Sequence, residues 1–254
     1  MEMSDLEHLR QAAQAAPEDA AARLALLQAL VVAASWEEAE TVGEELLQKD
    51  SPPPVAHALM GIVYGHRKRY EAAARQCQLA LDSGTETPLS QYNLGVMLAQ
   101  QDDFEAALIA LQQVTCQCKA WPAAHYNLGV VLLRLERYSE AIDAFENAIE
   151  QCEVYPEAHF NRGNAHAMVG LSADGGLDYY EIDCAINAYK KAIQQRPGYT
   201  AALYNLGMLY GRMTSSEGIR VWEQYLAASR DLPEEATWHM RAQEYLRDLK
   251  HRLD

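Results

Sequence analysis

Apolar residues return every three or four positions along most of the chain, with polar residues between them. Residues 124–135 and 138–151 show this spacing, with Leu128 and Leu132 in the first segment and Phe145 and Ile149 in the second. Steps of three and four residues place side chains on one face of an α-helix. The pattern therefore predicts pairs of amphipathic helices, each pair joined by a short polar turn.

Two rows of small residues repeat along these helices at one fixed interval. Glycine stands at positions 61, 95, 129, 163 and 207, with gaps of 34, 34, 34 and 44, and alanine stands at 39, 73, 107, 141 and 185 with the same gaps. An aromatic residue comes three positions before each of the first four alanines, and proline closes most repeats. Two independent rows with one spacing indicate a 34-residue repeat, in which small residues such as Gly129 and Ala141 let two antiparallel helices cross closely.

The longer gap locates an insertion in the fifth repeat. Its glycine, Gly163, is still in phase and its alanine, Ala185, is not, so ten residues are added between them. The candidate is segment 171–180, LSADGGLDYY, because its glycines and aspartates break helices. We expect an exposed loop there, whose binding candidates are Asp174, Asp178, Tyr179 and Tyr180. A binding loop and a harmless surface insertion are both open interpretations.

The period divides residues 17–232 into six repeats with a terminal helix on each side. The repeats are 20–53, 54–87, 88–121, 122–155, 156–199 with its insertion, and 200–232. Residues 1–16 are expected to form a half-repeat helix that caps the first repeat. Residues 233–254 carry an apolar stripe that includes Trp238, Tyr245 and Leu249, and Asp231 with Glu234 suggests a capping box at the start of a helix. We interpret this helix as a cap over the open end, with partner binding as the alternative.

The motif of each repeat resembles that of the tetratricopeptide repeat (TPR) family. The residues that carry the resemblance are NLGV at 93–96 and 127–130, NRGN at 161–164 and NLGM at 205–208, with the following aromatic-x-x-Ala and closing proline. The resemblance implies an all-α, right-handed superhelical solenoid of about six TPR helix–turn–helix repeats with N- and C-terminal capping helices. The first repeat departs from the pattern, with Leu27 at the glycine position, as terminal repeats often do.

The resemblance also implies where a ligand would bind. In TPR proteins the first helix of each repeat lines a concave groove. The corresponding candidates for partner contact are Tyr92, Asn93, Tyr126, Asn127, Arg134, Phe160, Asn161, Asn164, Tyr204, Asn205 and Arg212. An asparagine amide both donates and accepts hydrogen bonds, so a row of amides suits the backbone of an extended peptide. A similar row occurs in the TPR domain of O-linked N-acetylglucosamine transferases. The alternative is that asparagine is simply common at this position in the family, without a role in binding, and that the aromatic rings pack between helices.

One common type of TPR ligand is not expected here. TPR domains that hold C-terminal carboxylates present lysine or arginine at the fifth position of the first helix. This chain has aromatic residues at that position, or Ala58 in the second repeat. The sequence therefore argues against a carboxylate clamp.

Composition excludes several other classes of partner. The chain has 254 residues, 36 of them acidic and 21 basic, and its net charge is −15. Such a surface repels phosphate groups, so we expect no nucleic-acid partner. No apolar run is long enough to span a bilayer, so no direct membrane insertion is expected. The odd number of cysteines, 5, and the polar N-terminus without a secretory signal favour a cytoplasmic location.

Candidate chemistry is sparse. The chain contains none of the nucleotide-binding, hydrolase or zinc-protease motifs, so we predict no catalytic residue and no cofactor. Cys116, Cys118 and His125 resemble the start of a metal site. A second matched pair is missing, however, and the same spacing recurs at Cys152 and His159 because the repeat recurs. We therefore predict no metal site.

The sequence thus predicts a non-catalytic scaffold or adaptor that binds a peptide or helical segment of a partner protein in the groove. The alternative is a dedicated assembly or secretion chaperone that holds one client protein. The two differ in whether the partner is soluble alone. The sequence identifies neither the partner nor the oligomeric state.

Overall fold

The all-α prediction is confirmed. The computed structural model describes residues 3–84, 87–171 and 176–253, with only the backbone of residues 3 and 4. The helices in these residues are α1 (Met3–Ala15), α2 (Ala20–Val32), α3 (Trp36–Leu47), α4 (Pro54–His66), α5 (Tyr70–Asp82), α6 (Pro88–Gln100), α7 (Phe104–Gln117), α8 (Pro122–Arg134), α9 (Tyr138–Gln151), α10 (Pro156–Gly170), α11 (Tyr179–Gln195), α12 (Thr200–Arg212), α13 (Glu217–Ala228) and α14 (Ala236–Leu253). No helix among the described residues is long and apolar enough to cross a membrane.

The helices pack into two compact units, which we call the N-terminal unit (Met1–Ala120) and the C-terminal unit (Trp121–Asp254). In the N-terminal unit, α2 pairs with α3, α4 with α5 and α6 with α7, and α1 packs on α2. In the C-terminal unit, α8 pairs with α9, α10 with α11 and α12 with α13, and α14 packs on α13. Each unit is therefore a stack of helical hairpins with one additional terminal helix.

Most hairpins turn through a residue in the left-handed backbone region. Ala34, Lys68, Asp102, Glu136 and Thr214 have φ angles of 54°, 59°, 60°, 58° and 50°. In each turn the next residue closes back onto the first helix, as where the Arg137 N–H donates to the Leu132 carbonyl at 2.9 Å. This is the Schellman arrangement, which satisfies carbonyls at the end of a helix. The turn of the fifth hairpin differs because the insertion replaces it.

The two helices that flank the insertion extend further into it than the sequence predicts. Helix α10 continues to Gly170, and α11 already begins at Tyr179. Tyr179 and Tyr180 therefore lie in the first turn of α11, so the predicted loop boundary at 180 is wrong. The repeat period does not predict this boundary because α10 and α11, with 15 and 17 residues, are longer than the corresponding helices α8 and α9, with 13 and 14. Asp174 lies outside the described residues.

Local hydrogen bonds close this loop. Asp178 is the N-cap of α11, where its carboxylate accepts from the backbone N–H of Tyr180 at 3.0 Å and of Glu181 at 3.4 Å. A capping carboxylate satisfies N–H groups that have no partner within the helix. Leu171 and Leu177 form an isolated antiparallel bridge at the base of the loop. The role that the structure gives Asp178 is therefore helix capping.

The glycine row marks close contacts between the two helices of a hairpin. A Cβ atom added at Gly95, Gly129, Gly163 or Gly207 would lie 2.7, 2.6, 2.7 or 2.7 Å from the side chain of Leu111, Phe145, Tyr189 or Trp222, respectively. Real Cβ atoms do not approach other heavy atoms so closely. Glycine is therefore required by the bulky side chain that each second helix places against the first.

Buried apolar side chains form one large cluster in each unit. In the N-terminal unit the cluster includes Leu27, Leu46 and Met60, and in the C-terminal unit it includes Tyr189 and Trp222.

At the N-terminal end, the Arg10 guanidinium of α1 donates to both carboxylate oxygens of Glu38 in α3, at 2.8 and 2.6 Å. These hydrogen bonds lower the pKa of Glu38.

The start of the C-terminal helix differs from the sequence prediction. A 3-10 helix at Pro233–Glu235 comes first, α14 begins at Ala236, and no side-chain cap forms at the start of the 3-10 helix, so the predicted capping box is wrong. Glu235 instead accepts hydrogen bonds from Thr200 and Tyr225, both at 2.8 Å. The carboxylate thus ties the segment before α14 to the last hairpin.

His159 makes the stability of the C-terminal unit depend on pH. Its side chain is buried in α10, and its Nδ1 atom has no hydrogen-bond partner among the described residues. Burial, with the nearby positive charges of Arg162 and Lys191, lowers the pKa of His159 to about 4. The unfolded chain, with an ordinary histidine pKa of about 6.5, therefore binds a proton more readily than the folded chain between pH 4 and 6.5.

We expect the free energy of unfolding to fall by about 3 kcal/mol as the pH drops through this range, because His159 must stay neutral in the folded state. The His159→Gln variant cannot titrate at this position, so its stability should fall by correspondingly less. Urea unfolding at several pH values, followed by circular dichroism, measures the difference. Parallel curves for the two proteins would show that His159 is not the cause.

Candidate functional site

The predicted contact residues lie at equivalent positions of the first helices. Tyr92 and Asn93 of α6 are half-buried in the N-terminal unit. In the C-terminal unit, the equivalent pairs are Tyr126 and Asn127 of α8, Phe160 and Asn161 of α10, and Tyr204 and Asn205 of α12, all half-buried as well. Half-burial leaves part of each side chain for packing and part for solvent or a ligand.

In the C-terminal unit, the aromatic members of these pairs pack between hairpins. The Tyr126 ring lies 5.9 Å from Phe145 and 5.1 Å from Tyr155, measured between centroids. Phe160 makes the same two kinds of contact, at 5.9 Å to Tyr189 and 5.1 Å to Tyr199. Each ring thus contacts an aromatic residue of its own second helix and another that precedes the next hairpin. These contacts favour the packing interpretation for the rings.

Tyr204 is the centre of a larger aromatic cluster. Its ring centroid lies 5.2 Å from Trp222, 5.5 Å from Tyr225, 5.3 Å from Trp238 and 6.5 Å from Tyr245. The interplanar angles, 69° to 83°, are those of edge-to-face pairs. Trp238 and Tyr245 belong to α14, so this cluster fastens the terminal helix to the last hairpin.

The asparagines of α10 and α12 join into one hydrogen-bonded group, which we call the amide network (Asn161, Asn164 and Asn205). Asn164 Nδ2 donates to Asn161 Oδ1 at 3.3 Å, and Asn205 Nδ2 donates to Asn164 Oδ1 at 2.9 Å. Asn161 Nδ2 in turn donates to the Tyr126 hydroxyl at 3.0 Å. The network therefore connects α8, α10 and α12 on one face of the C-terminal unit.

Tyr189 of α11, a buried residue, is hydrogen-bonded to this network. Its hydroxyl donates to Asn164 Oδ1 at 2.8 Å, and burial raises the pKa of Tyr189 well above its usual value. Burial also raises the pKa of Tyr126. Both hydroxyls therefore stay protonated at neutral pH. An amide has two donor hydrogens and two acceptor lone pairs, so a member such as Asn161 keeps capacity for a ligand beyond its two bonds within the described residues.

A pocket of about 340 Å³ opens beside the network, and we call it the α12 pocket. Its lining residues are Asn164, Ala167, Met168, Leu171, Tyr189, Asn205, Met208, Leu209 and Arg212. Met168 is 50% exposed, so its flexible thioether side chain is available to a ligand. The pocket combines amides, methionines and one guanidinium, which can bind a peptide backbone, an apolar side chain and a carboxylate, respectively.

The structure thus brings together some predicted contact residues and leaves others apart. Asn164, Asn205 and Arg212 share the α12 pocket, and Asn161 joins them through a hydrogen bond. Arg134, at the end of α8, is exposed and does not line this pocket. Tyr179 and Tyr180 are 64% and 75% exposed in the first turn of α11. In the described residues, no cluster of three or more histidine, cysteine or acidic side chains is arranged to hold a metal ion.

Sequence reasoning missed one residue for which a signal existed. Trp238 belongs to the apolar stripe of the terminal helix, and it also follows Tyr204 by 34 residues, the length of one repeat. It therefore stands where the next fifth-position aromatic is expected. The structure places the two rings in contact.

Models of known families match the central part of the chain. Residues 59–125 and 122–153 match two models, each described as a tetratricopeptide repeat. Residues 59–153 are therefore tetratricopeptide repeats. No curated protein matches this chain in sequence.

Solved structures of TPR proteins are similar in fold. YrrB, a TPR protein with an unusual peptide-binding site, has 25% identity and a TM-score of 0.65, with 79% of this chain and 98% of that chain covered. The C-terminal part of a TPR repeat-containing protein from Cytophaga hutchinsonii has 14% identity, a TM-score of 0.69 and coverages of 86% and 84%. MamA has 23% identity, a TM-score of 0.60 and coverages of 67% and 94%. The latter two show likeness of fold alone.

Proposed function

We propose that this protein is a non-catalytic scaffold that binds a segment of a partner protein on the face formed by α8, α10 and α12. The observation that carries the proposal is the amide network beside the α12 pocket. Polar groups that join three hairpins and still border an open pocket provide a rigid surface of donors and acceptors. A ligand that meets such a surface loses little of its binding free energy to ordering the protein.

The chemistry of the pocket favours a protein segment over a small charged metabolite. The amides of Asn164 and Asn205 can pair with a peptide backbone without selecting its sequence. Met168 and Met208 provide adaptable apolar contacts for a side chain. YrrB, a TPR protein with an unusual peptide-binding site, shares the fold over most of both chains and supports a peptide as ligand.

We further propose a cytoplasmic location, because the five cysteines are free and Cys116 is exposed. Exposed thiols remain reduced in the cytosol and are readily oxidised outside it.

Affinity capture with a double variant tests the proposed face. We expect Asn161→Ala with Asn205→Ala to lose partner proteins that the wild type retains, because each lost hydrogen bond costs about 1 kcal/mol. Two such losses correspond to roughly thirtyfold weaker binding. Captured proteins are identified by mass spectrometry, and the affinity of the main partner is then measured by calorimetry.

A second double variant provides the matched control. Asn147 and Asn187 are exposed on the second helices α9 and α11, so Asn147→Ala with Asn187→Ala removes the same chemistry from another surface. This variant should retain every partner. Because the network also links hairpins, the first variant will lose about 1–2 kcal/mol of stability, and capture must be done well below its melting temperature. Full partner binding by the folded first variant would contradict the proposed face.

A further inference from the structure

Helix α14 continues the pattern of the first helices. Trp238 follows Tyr204 by one repeat length, 34 residues, so it takes the fifth position of a seventh first helix. The two rings meet edge to face, with centroids 5.3 Å apart and an angle of 76°. The terminal helix therefore adds one more aromatic residue to the row that begins at Tyr126 in the C-terminal unit.

Two faces of α14 have different surroundings. Ala242 and Leu249 are buried against the last hairpin, as a capping helix requires. Trp238 and Tyr245, by contrast, remain 44% and 38% exposed. Large aromatic rings that stay partly exposed beside open pockets are typical anchors for a binding partner. Each ring thus has one part in contact with the last hairpin and another part open to a ligand.

Pockets on both sides of these rings continue the α12 pocket. One, of about 250 Å³, is lined by Thr200, Ala201, Tyr204, Asn205, Glu235 and Trp238. Another, also about 250 Å³, includes Tyr245, Asp248 and Arg252 in its lining. The first shares Asn205 with the α12 pocket, and the second shares Met208 and Arg212 with it. The three pockets therefore lie in series along α12, each of the two smaller ones next to the α12 pocket.

Positive charge is concentrated along this series. Arg212 and Arg252 line the second pocket with one acidic residue, Asp248. The Arg241 guanidinium lies 5.0 Å from the centroid of the Trp238 ring. Three guanidinium groups thus lie along the series with two carboxylates, those of Asp248 and Glu235, on a chain whose net charge is −15. Such a surface attracts carboxylates.

The acidic group at the other pocket is already engaged. The Glu235 carboxylate accepts hydrogen bonds from the hydroxyls of Thr200 and Tyr225. In the wall of the second pocket, the buried Nε1–H of Trp222 finds no acceptor among the described residues. An oxygen from a ligand would satisfy this donor. The unpaired Trp222 donor favours a ligand that offers an oxygen acceptor, whereas the two hydrogen bonds to Glu235 hold its carboxylate in place without removing its charge.

We propose that α12 and α14 together bind an acidic segment of the partner protein in which a bulky apolar residue stands next to carboxylates. This inference rests on the proposed function and assigns the chemistry of the ligand. The apolar side chain contacts Trp238 and Tyr245, and the carboxylates pair with Arg212 and Arg241. The terminal helix is then both a cap and part of the binding surface.

Selection from a phage-displayed library of random twelve-residue peptides tests the inference on the full-length protein. We expect the selected peptides to be enriched in aspartate and glutamate next to leucine or an aromatic residue. The affinity of one such peptide, measured by fluorescence anisotropy, should fall about tenfold with Trp238→Ala, as for loss of an aromatic anchor. It should also fall with Arg212→Glu and Arg241→Glu, and this effect should weaken at high salt.

Matched variants on the same helix provide controls. Met240 is 60% exposed and Arg247 is exposed, and neither lines the pockets, so Met240→Ala and Arg247→Glu should leave peptide affinity unchanged. Trp238→Phe keeps an aromatic ring and should retain most of the affinity. If Trp238→Ala disturbs the helix, Trp238→Phe still tests whether an aromatic ring at this position is sufficient for binding.

The possible results separate this inference from the proposed function. Selected peptides that are basic or uncharged, or that bind Trp238→Ala and Arg212→Glu as tightly as wild type, would overturn the inference. If binding of those peptides is still lost with Asn161→Ala and Asn205→Ala, the proposed function stands without it. If no peptide is selected at all, both are wrong.

Discussion

Removal of residues 236–254 is expected to lower the stability of the protein more than any single substitution. Helix α14 buries Leu249 and Ala242 and covers Trp222 and Tyr225 of the last hairpin through Tyr245 and its neighbours. Full burial of one large apolar side chain contributes about 1.5–3 kcal/mol. Loss of the helix should therefore cost roughly 5 kcal/mol, because several such side chains become exposed.

Differential scanning calorimetry and analytical ultracentrifugation measure the result. A loss of this size corresponds to a fall in the melting temperature of about 10–20 °C for a chain of this length. The newly exposed aromatic surface should also promote association at higher protein concentration. The point variant Leu249→Asp should produce a smaller change in the same direction. A truncated protein that stays monomeric and melts at the wild-type temperature would contradict the role of α14 as a cap.

Gly129→Leu is expected to be the most damaging single substitution in the fourth hairpin. A Cβ atom there would lie 2.6 Å from the Phe145 ring, and Phe145 is completely buried, so the ring cannot move aside into solvent. Overpacking of this kind costs about 1–3 kcal/mol, and leucine adds three further carbon atoms to the clash. We expect a loss of about 3 kcal/mol in urea unfolding.

The same substitution at Gly211 is a matched control. Gly211 also lies in a first helix, but nothing stands within 4 Å of a Cβ atom added there. Gly211→Leu should be neutral or slightly stabilising, because glycine is a poor helix former. Adding Phe145→Ala to Gly129→Leu should cost less than the sum of the two single effects, since one change fills the space that the other opens. Additive losses would show that Phe145 is not the cause.

The sequence predicts helix positions well in this chain because a repeat supplies the same information several times. Each first helix from α4 to α10 begins at a proline, and the glycine and alanine rows fix the phase of both helices. The same regularity explains the misplaced end of the insertion. Helix α11 begins at Tyr179, three residues earlier than the repeat predicts. Tyr179 and Tyr180 belong to the insertion and have no counterparts in the other repeats, so the repeat does not predict their secondary structure.

The candidate site was less accessible to sequence reasoning. The asparagine row is visible in the sequence, but the bonds among Asn161, Asn164 and Asn205 depend on side-chain rotamers and on the approach of neighbouring hairpins. The capping box of Asp231 and Glu234 does not form because Leu232, not Asp231, is the N-cap of a 3-10 helix there. The neighbouring Glu235 accepts hydrogen bonds from Thr200 and Tyr225, which are distant in sequence. Contacts between hairpins therefore determine the side-chain hydrogen bonds, which the repeat period does not predict.

Site-specific photo-crosslinking tests the central claim most directly. A benzophenone amino acid at position 168 stands at the α12 pocket, and the same group at position 187 stands on the exposed side of α11. We expect the partner obtained by affinity capture to become covalently attached to the protein labelled at 168 and not to the protein labelled at 187. Attachment at 187 with none at 168 would contradict it, because the partner would then bind the second helices.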